Sequence, residues 1–305
     1  MGRLYALAPE RVFLFQHHFD AVALAACQPE LAPELYFVHH ADYAFSFGVY
    51  FPHATHIDGS LQDLENCRQR LGVTANLFVP YTADDRGSNP APSRPGARAL
   101  TTCTSATHTK LSRPGYRYSY LDLFPRLFQQ RVQRHVHIGE LPSPMLAEIY
   151  RRLDDAKIPR ERFDYRGNVP SFWQALRDQE IDVCIGSFPV GGGLTVTEAM
   201  GSGTPYIVHG NYVQRVLCEI DQIYPEGFVW RELDELDAAL ETFAGGACPA
   251  HAQAARAQYE RFHLPSQLSA ALEGAHVLGA SEPALRPHRR DNLQIVLDTL
   301  YLPTG

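Results

Sequence analysis

Short apolar runs separated by helix-patterned stretches recur along most of this chain, and that alternation restricts its fold more than any other feature. RVFLF (11–15), ELYFV (34–38), THI (55–57), HVHIG (135–139), IDVCIG (181–186), PYIVH (205–209) and GFVW (227–230) read as buried strands. Between them, MLAEIYRRL puts Met145, Leu146, Ile149, Tyr150 and Leu153 on one helical stripe. SFWQALRDQE begins at Ser171, a good N-cap directly after Pro170. Strands that alternate with helices specify a parallel sheet wrapped on its faces, so the expected class is α/β.

A chain of 305 residues has room for two such units, each with its own core. YTADDRGSNPAPSRPGAR (81–98) loses all hydrophobic periodicity to Pro, Gly, Ser and Asn and reads as the linker. The expected partition is a short first domain, 1–90, with two or three strands, and a full second domain, 91–282. A last amphipathic helix, NLQIVLDTLYL, falls in 283–305 beyond Pro283 and Pro287 and is expected to cross back to the first domain.

Composition excludes several classes. With 45% hydrophobic and 20% charged residues the chain is an ordinary globular one. Its net charge of -7, with no concentrated basic patch, argues against nucleic acid. The six cysteines are scattered without metal or redox spacing, which fits a reduced, cytoplasmic protein. No run approaches a membrane span of about 20 apolar residues, and MGRLYALAPERVFLF lacks the pattern of a signal peptide.

The stretch IDVCIGSFPVGGGLTVTEAMGSGTP (181–205) carries the chemistry. Gly191, Gly192 and Gly193 stand between a strand and a helix, where bare main-chain N–H groups and the positive helix end would converge on one spot. A phosphate suits that spot; a plain tight turn is the other reading. Thr195-Val-Thr-Glu198 is likewise open: it matches a capping box, and it also offers a carboxylate one turn into the helix for ribose hydroxyls.

Strand, GGGLT, TEAM, GSGTP, then YIVH resembles the donor-binding segment of GT-B glycosyltransferases. Three further stretches extend the likeness: TTCTSATHTKL (101–111), HVHIGE (135–140) and DYRGNVPSFWQAL (164–176). HHADYAFSFG (39–48) resembles a histidine loop of bacterial enzymes of this kind. The resemblance implies two Rossmann-like domains, the first an apparently incomplete acceptor side and the second the nucleotide-sugar side. It implies donor contacts from Ser105, Lys110, Gly139, Asn168, Gly191, Gly192, Gly193, Thr195 and Glu198, with Lys110 on the diphosphate and Glu198 on the ribose. It implies a nucleotide-sugar co-substrate, UDP-sugar favoured, an acceptor glycan, protein or small molecule, and no other cofactor. Retaining members carry an additional glutamate shortly before the glycine loop; the turn at Pro189 has none, so an inverting outcome is expected. The short first domain leaves room for a partner chain or a missing segment to complete it.

An inverting transfer needs a general base, for which His40 or His39 is expected, with Asp42 to orient it. No DxD sequence occurs, so no metal is expected at the diphosphate. Two other classes remain. HHFD (17–20) and HHAD (39–42) repeat a His-His-x-Asp tetrad that would suit zinc or manganese in a hydrolase. A non-catalytic nucleotide-sugar-binding module, or an epimerase with similar donor chemistry, would need the same glycine segment.

Overall fold

The computed structural model describes residues 2–16, 19–39, 46–89, 99–215, 218–274 and 286–301. The chain divides into two compact units, Met1–Tyr81 with Pro265–Arg286, and Thr82–Leu264 with Pro287–Gly305.

The first unit is built on a parallel sheet of β1 (Arg11–Leu14), β2 (Glu34–His39), β3 (Thr55–Asp58) and β4 (Asn76–Phe78), ordered as in the chain. That is one strand more than the two or three expected; the extra one is the three-residue β4. Helices α1 (Gly2–Leu7), α2 (Ala21–Ala26) and α3 (Leu61–Gln69) belong to this unit. α2 starts where the Asp20 carboxylate accepts from the Val22 and Ala23 N–H groups, both at 3.0 Å. Ser60 caps α3 by accepting from Asp63 N–H at 3.1 Å. β2 alternates, burying Leu35, Phe37 and His39. Leu35 and Phe37 join Leu14, Leu31 and Phe51 in one apolar cluster. A second cluster, with Phe13, Tyr36, Val38 and Ile57, is covered by Leu268, Ala271 and Leu272 of the helix Pro265–Gly274. The helix Asn292–Tyr301 groups instead with the second unit, where Gln294 Nε2 donates to the Gly115 carbonyl at 2.6 Å.

The second unit holds β5 (Leu100–Ser105), β6 (Val132–Ile138), β7 (Phe163–Tyr165), β8 (Val183–Ile185), β9 (Tyr206–His209) and β10 (Phe228–Trp230), all parallel, in the order β10-β9-β8-β5-β6-β7. Its helices are α4 (Arg126–Gln129), α5 (Ser143–Asp155), α6 (Phe172–Asp178), α7 (Leu194–Gly201), α8 (Leu233–Thr242) and α9 (Cys248–Phe262). One core holds Leu100, Val132, Ile149, Leu153, Val183, Ile185 and Leu240; the other holds Cys103, Val136, Trp173, Cys184, Met200 and Tyr259. Apolar side chains from alternate strand positions feed two clusters, as a sheet covered on both faces requires. β5 reads LTTCTS because its threonines are β-branched and find partners. Thr102 Oγ1 lies 2.8 Å from His135 Nδ1, and Thr104 Oγ1 donates to the Ile185 carbonyl at 2.9 Å.

Strand order fixes where a ligand can sit. The chain runs outward from β5 through β6 to β7, then returns to β8 on the other side of β5 and runs out to β10. The loops after β5 and β8 therefore leave in opposite directions, opening a crevice at their carboxyl ends.

Candidate functional site

One lip of that crevice is the β8–α7 loop. Gly193 is the N-cap of α7 with φ +72°, a left-handed conformation that explains glycine there. Gly191 and Gly192 are glycine for closeness instead. A Cβ on Gly191 would lie 2.6 Å from Glu219 Cγ, one on Gly192 2.8 Å from Glu219 Oε1, and one on Gly186 2.8 Å from Glu219 Oε2. The bare backbone thus surrounds a carboxylate. Glu219 Oε1 accepts from Gly192 N–H and, at 3.1 Å, from Gly193 N–H. These amides do bind an acidic oxygen, and in this structure it belongs to the protein's own carboxyl. Glu219 is only 3% exposed. Burial raises its pKa to about 7, against the pull of the Gly192 N–H, Lys110 and Tyr206.

The capping-box reading of Thr195 and Glu198 is not realised. With Gly193 as N-cap, Thr195 is the second helical residue, and its hydroxyl is buried against Gly192. The half-buried Glu198 carboxylate has no hydrogen bond among the described residues. Burial raises its pKa, and Arg86 opposes that rise.

The other lip comes from β5. Ser105 ends the strand, half-buried, and the chain turns through a 3-10 segment, His108–Lys110. Lys110 Nζ donates to the Gly191 carbonyl at 3.0 Å and so ties the two lips together. Beside them, Gly139 follows β6 at φ +121°, where a side chain would overlap the Ala106 carbonyl oxygen. Asn168, exposed after β7, donates from Nδ2 to Glu140 at 2.9 Å. Every donor-side residue expected from sequence therefore lies on the carboxyl edge of the second sheet or within the first turns of α7. The two histidines of HVHIGE do not. His135 and His137 are buried in β6, and burial pushes their pKa values down to about 3 and about 4.

In the first unit, His40 and Asp42 lie outside the described residues. His39 is buried, and both its ring nitrogens are engaged. Nδ1 lies 2.8 Å from Asp58 Oδ1, and Nε2 lies 3.2 Å from His56 Nδ1. His56 Nε2 faces the Phe51 carbonyl at 3.1 Å, and Asp58 Oδ2 accepts from Asn76 at 3.1 Å. Cys67 Sγ lies 3.6 Å from Asp58 Oδ1. The arrangement is a closed polar relay inside the unit.

No protein-family model and no curated protein sequence matches the chain. Solved structures do. The lipopolysaccharide outer core galactosyltransferase WaaB, in its apo form, is similar over 90% of this chain and 78% of its own, with a TM-score of 0.61 and 15% identity. HepE from Anabaena, solved with UDP and glucose, is similar over 89% and 78%, with a TM-score of 0.58 and 16% identity. The pneumococcal O-GlcNAc transferase GtfA, solved with UDP and GlcNAc, is similar over 89% of this chain but 58% of its own, with a TM-score of 0.59 and 13% identity.

The fold is GT-B. At these identities the likeness is one of fold, so roles within this GT-B chain rest on its own residues. Of the two His-His-x-Asp tetrads, only Asp20 and His39 fall among the described residues. His17 and His18 lie outside the described residues, Asp20 is the cap of α2, and His39 belongs to the relay with Asp58. His39, His56 and Cys67 offer donor atoms within 4.8 Å of one another. The relay already uses them as hydrogen-bonding groups. No described helix is long and apolar enough to cross a membrane.

Glu219 was not among the residues expected from the sequence. A single acid inside the otherwise apolar VLCEI was its only signal, and 26 residues separate it from Gly193.

Proposed function

We propose that this chain is a glycosyltransferase that moves a hexosyl or N-acetylhexosaminyl group from a nucleotide-diphosphate-sugar, in the first instance a UDP-sugar, to an acceptor hydroxyl with inversion. The observation that carries the reading is the carboxyl oxygen held by Gly192 and Gly193 N–H at the start of α7, in the crevice between β5 and β8. A diphosphate oxygen asks for the same donors. Lys110 stands beside them, and the Glu198 carboxylate is suited to accept from the two ribose hydroxyls. The turn around Gly139 and Asn168 would take the base.

In the transfer, a base removes the acceptor proton while the acceptor oxygen attacks the anomeric carbon from the face opposite the diphosphate. The carbon–oxygen bond to the diphosphate breaks, and the leaving group gains negative charge. The loop amides, the positive end of α7 and Lys110 would stabilise that charge without a metal. For the base we favour His40 with Asp42, since both nitrogens of His39 are engaged within the first unit.

Glu219 also supports a second reading. A cradle in which the carboxylate keeps the diphosphate from its transfer position would make the chain a non-catalytic module that still binds nucleotide through its other contacts. A thermal-shift screen with UDP, GDP, TDP and CMP, followed by an assay of nucleotide release from the matching sugar donor, separates the two. A ligand of the folded state raises Tm by mass action. A shift with turnover supports the transferase, a shift without turnover the module, and no shift removes both.

A further inference from the structure

We infer that Glu219 is a tethered stand-in for the donor diphosphate, occupying the Gly192–Gly193 amides until a nucleotide diphosphate displaces it. The inference rests on the donor-site reading above and specifies how that site is controlled.

Three observations carry it. A carboxylate oxygen and a phosphate oxygen are both acceptors for amides at a helix start, so the two compete for the same N–H groups. Gly186, Gly191 and Gly192 all lie against the Glu219 side chain at distances a Cβ would make too short, so the cradle is shaped around it. Finally, Glu219 is carried by neither strand nor helix. It stands in the connection between β9 and β10, where its neighbours are held by turn contacts such as Cys218 N–H to the Arg215 carbonyl and Gln222 N–H to the Glu219 carbonyl. A residue so placed can leave the cradle without unravelling a regular element.

Electrostatics gives the competition a pH dependence. Facing Glu219 are the two amides, Lys110, the Tyr206 phenol and the thiols of Cys184 and Cys218. Burial raises the phenol and both thiols, which keeps them uncharged around neutrality, so Lys110 is the cation at hand. A diphosphate entering beside an ionised Glu219 meets repulsion that one lysine does not offset. Below about pH 7 the carboxyl is protonated and competes weakly. Above that pH it competes as an anion.

The test is a calorimetric titration of UDP-glucose, or of the sugar donor matching the screen's hit, into the full chain and into Glu219→Gln and Glu219→Ala, from about pH 5.5 to about pH 8.5. The doubly esterified diphosphate holds its charge across that range, so the probe adds no titration of its own. We expect both variants to bind at least about tenfold more tightly than the wild type at pH 8, with flat pH profiles. The wild type should weaken by up to about tenfold per pH unit above about pH 7. The wild-type profile alone is informative should either variant fold poorly. Wild-type affinity equal to that of both variants and independent of pH overturns the inference and leaves the donor site standing. Absence of binding by all three proteins across the nucleotide panel overturns the donor site itself.

Discussion

A buried carboxylate needs donors, and Glu219 finds two in consecutive loop amides. Its acid form survives to about pH 7 in the fold but only through the ordinary carboxyl range in the unfolded chain. The folded state holds the extra proton between those limits. Its contribution is full below the unfolded value and lost as pH rises through about 7. The stability of Glu219→Gln relative to wild type should therefore rise by about 3 kcal/mol between about pH 4.5 and about pH 7.5, read by urea denaturation at steps of pH. A difference independent of pH would mean the carboxyl is not buried as described. Glu198 is the opposite case, half-buried and without a cap to make. Glu198→Ala should change stability by under about 0.5 kcal/mol while weakening nucleotide binding by about tenfold or more. A stability loss of about 1 kcal/mol with binding intact would restore the capping role. Neither contrast was legible in the sequence. The TVTE spacing fits a cap that the positive φ of Gly193 moves two residues earlier, and Glu219 meets the glycines only through the fold.

Among the elements, the strands with branched apolar runs were legible: β1, β2, β3, β6, β8, β9 and β10 all fall on or within a few residues of their expected positions. β5 was not, because LTTCTS hides a central strand behind hydroxyls whose partners, His135 and the Ile185 carbonyl, lie on neighbouring strands. β4 (NLF) and β7 (FDY) each include a polar residue, so no continuous apolar run marks them as it marks VCI of β8 and FVW of β10. α2 tests the rival chemistry. Asp20→Ala should cost about 1 kcal/mol through loss of the cap, and chelator should leave nucleotide binding and turnover unchanged. Metal-dependent activity that disappears with Asp20 would instead revive the His-His-x-Asp reading. The turn after β6 is stricter. Gly139→Ala combines φ +121° with overlap on the Ala106 carbonyl, and should destabilise the second unit by about 3 kcal/mol in thermal unfolding.

For the molecule as a whole, the alternation of apolar runs and helical patterns pointed to parallel sheets in two units. It left the segment exchange between them unread, since the helix Pro265–Gly274 packs with the first sheet while Asn292–Tyr301 groups with the second unit. Acid should act on the second unit through His135, His137 and His209, whose pKa values burial pushes down to about 3, about 4 and about 3. The unfolded chain takes up protons at these rings before the folded one does. Their stabilisation is complete above about pH 6.5 and drains away as pH falls toward 4, opposite in sign to Glu219. Stability that stays flat from pH 6.5 to pH 4 in the Glu219→Gln background would contradict their burial. What the carboxyl edge between β5 and β8 can hold decides the function, and a crystal structure grown with the nucleoside diphosphate chosen by the thermal screen reads that directly. The expected result is a diphosphate oxygen within hydrogen-bond reach of Gly192 and Gly193 N–H, with Lys110 beside it and the Glu219 carboxylate moved away. Nucleotide bound elsewhere, with Glu219 still on those amides, would contradict it.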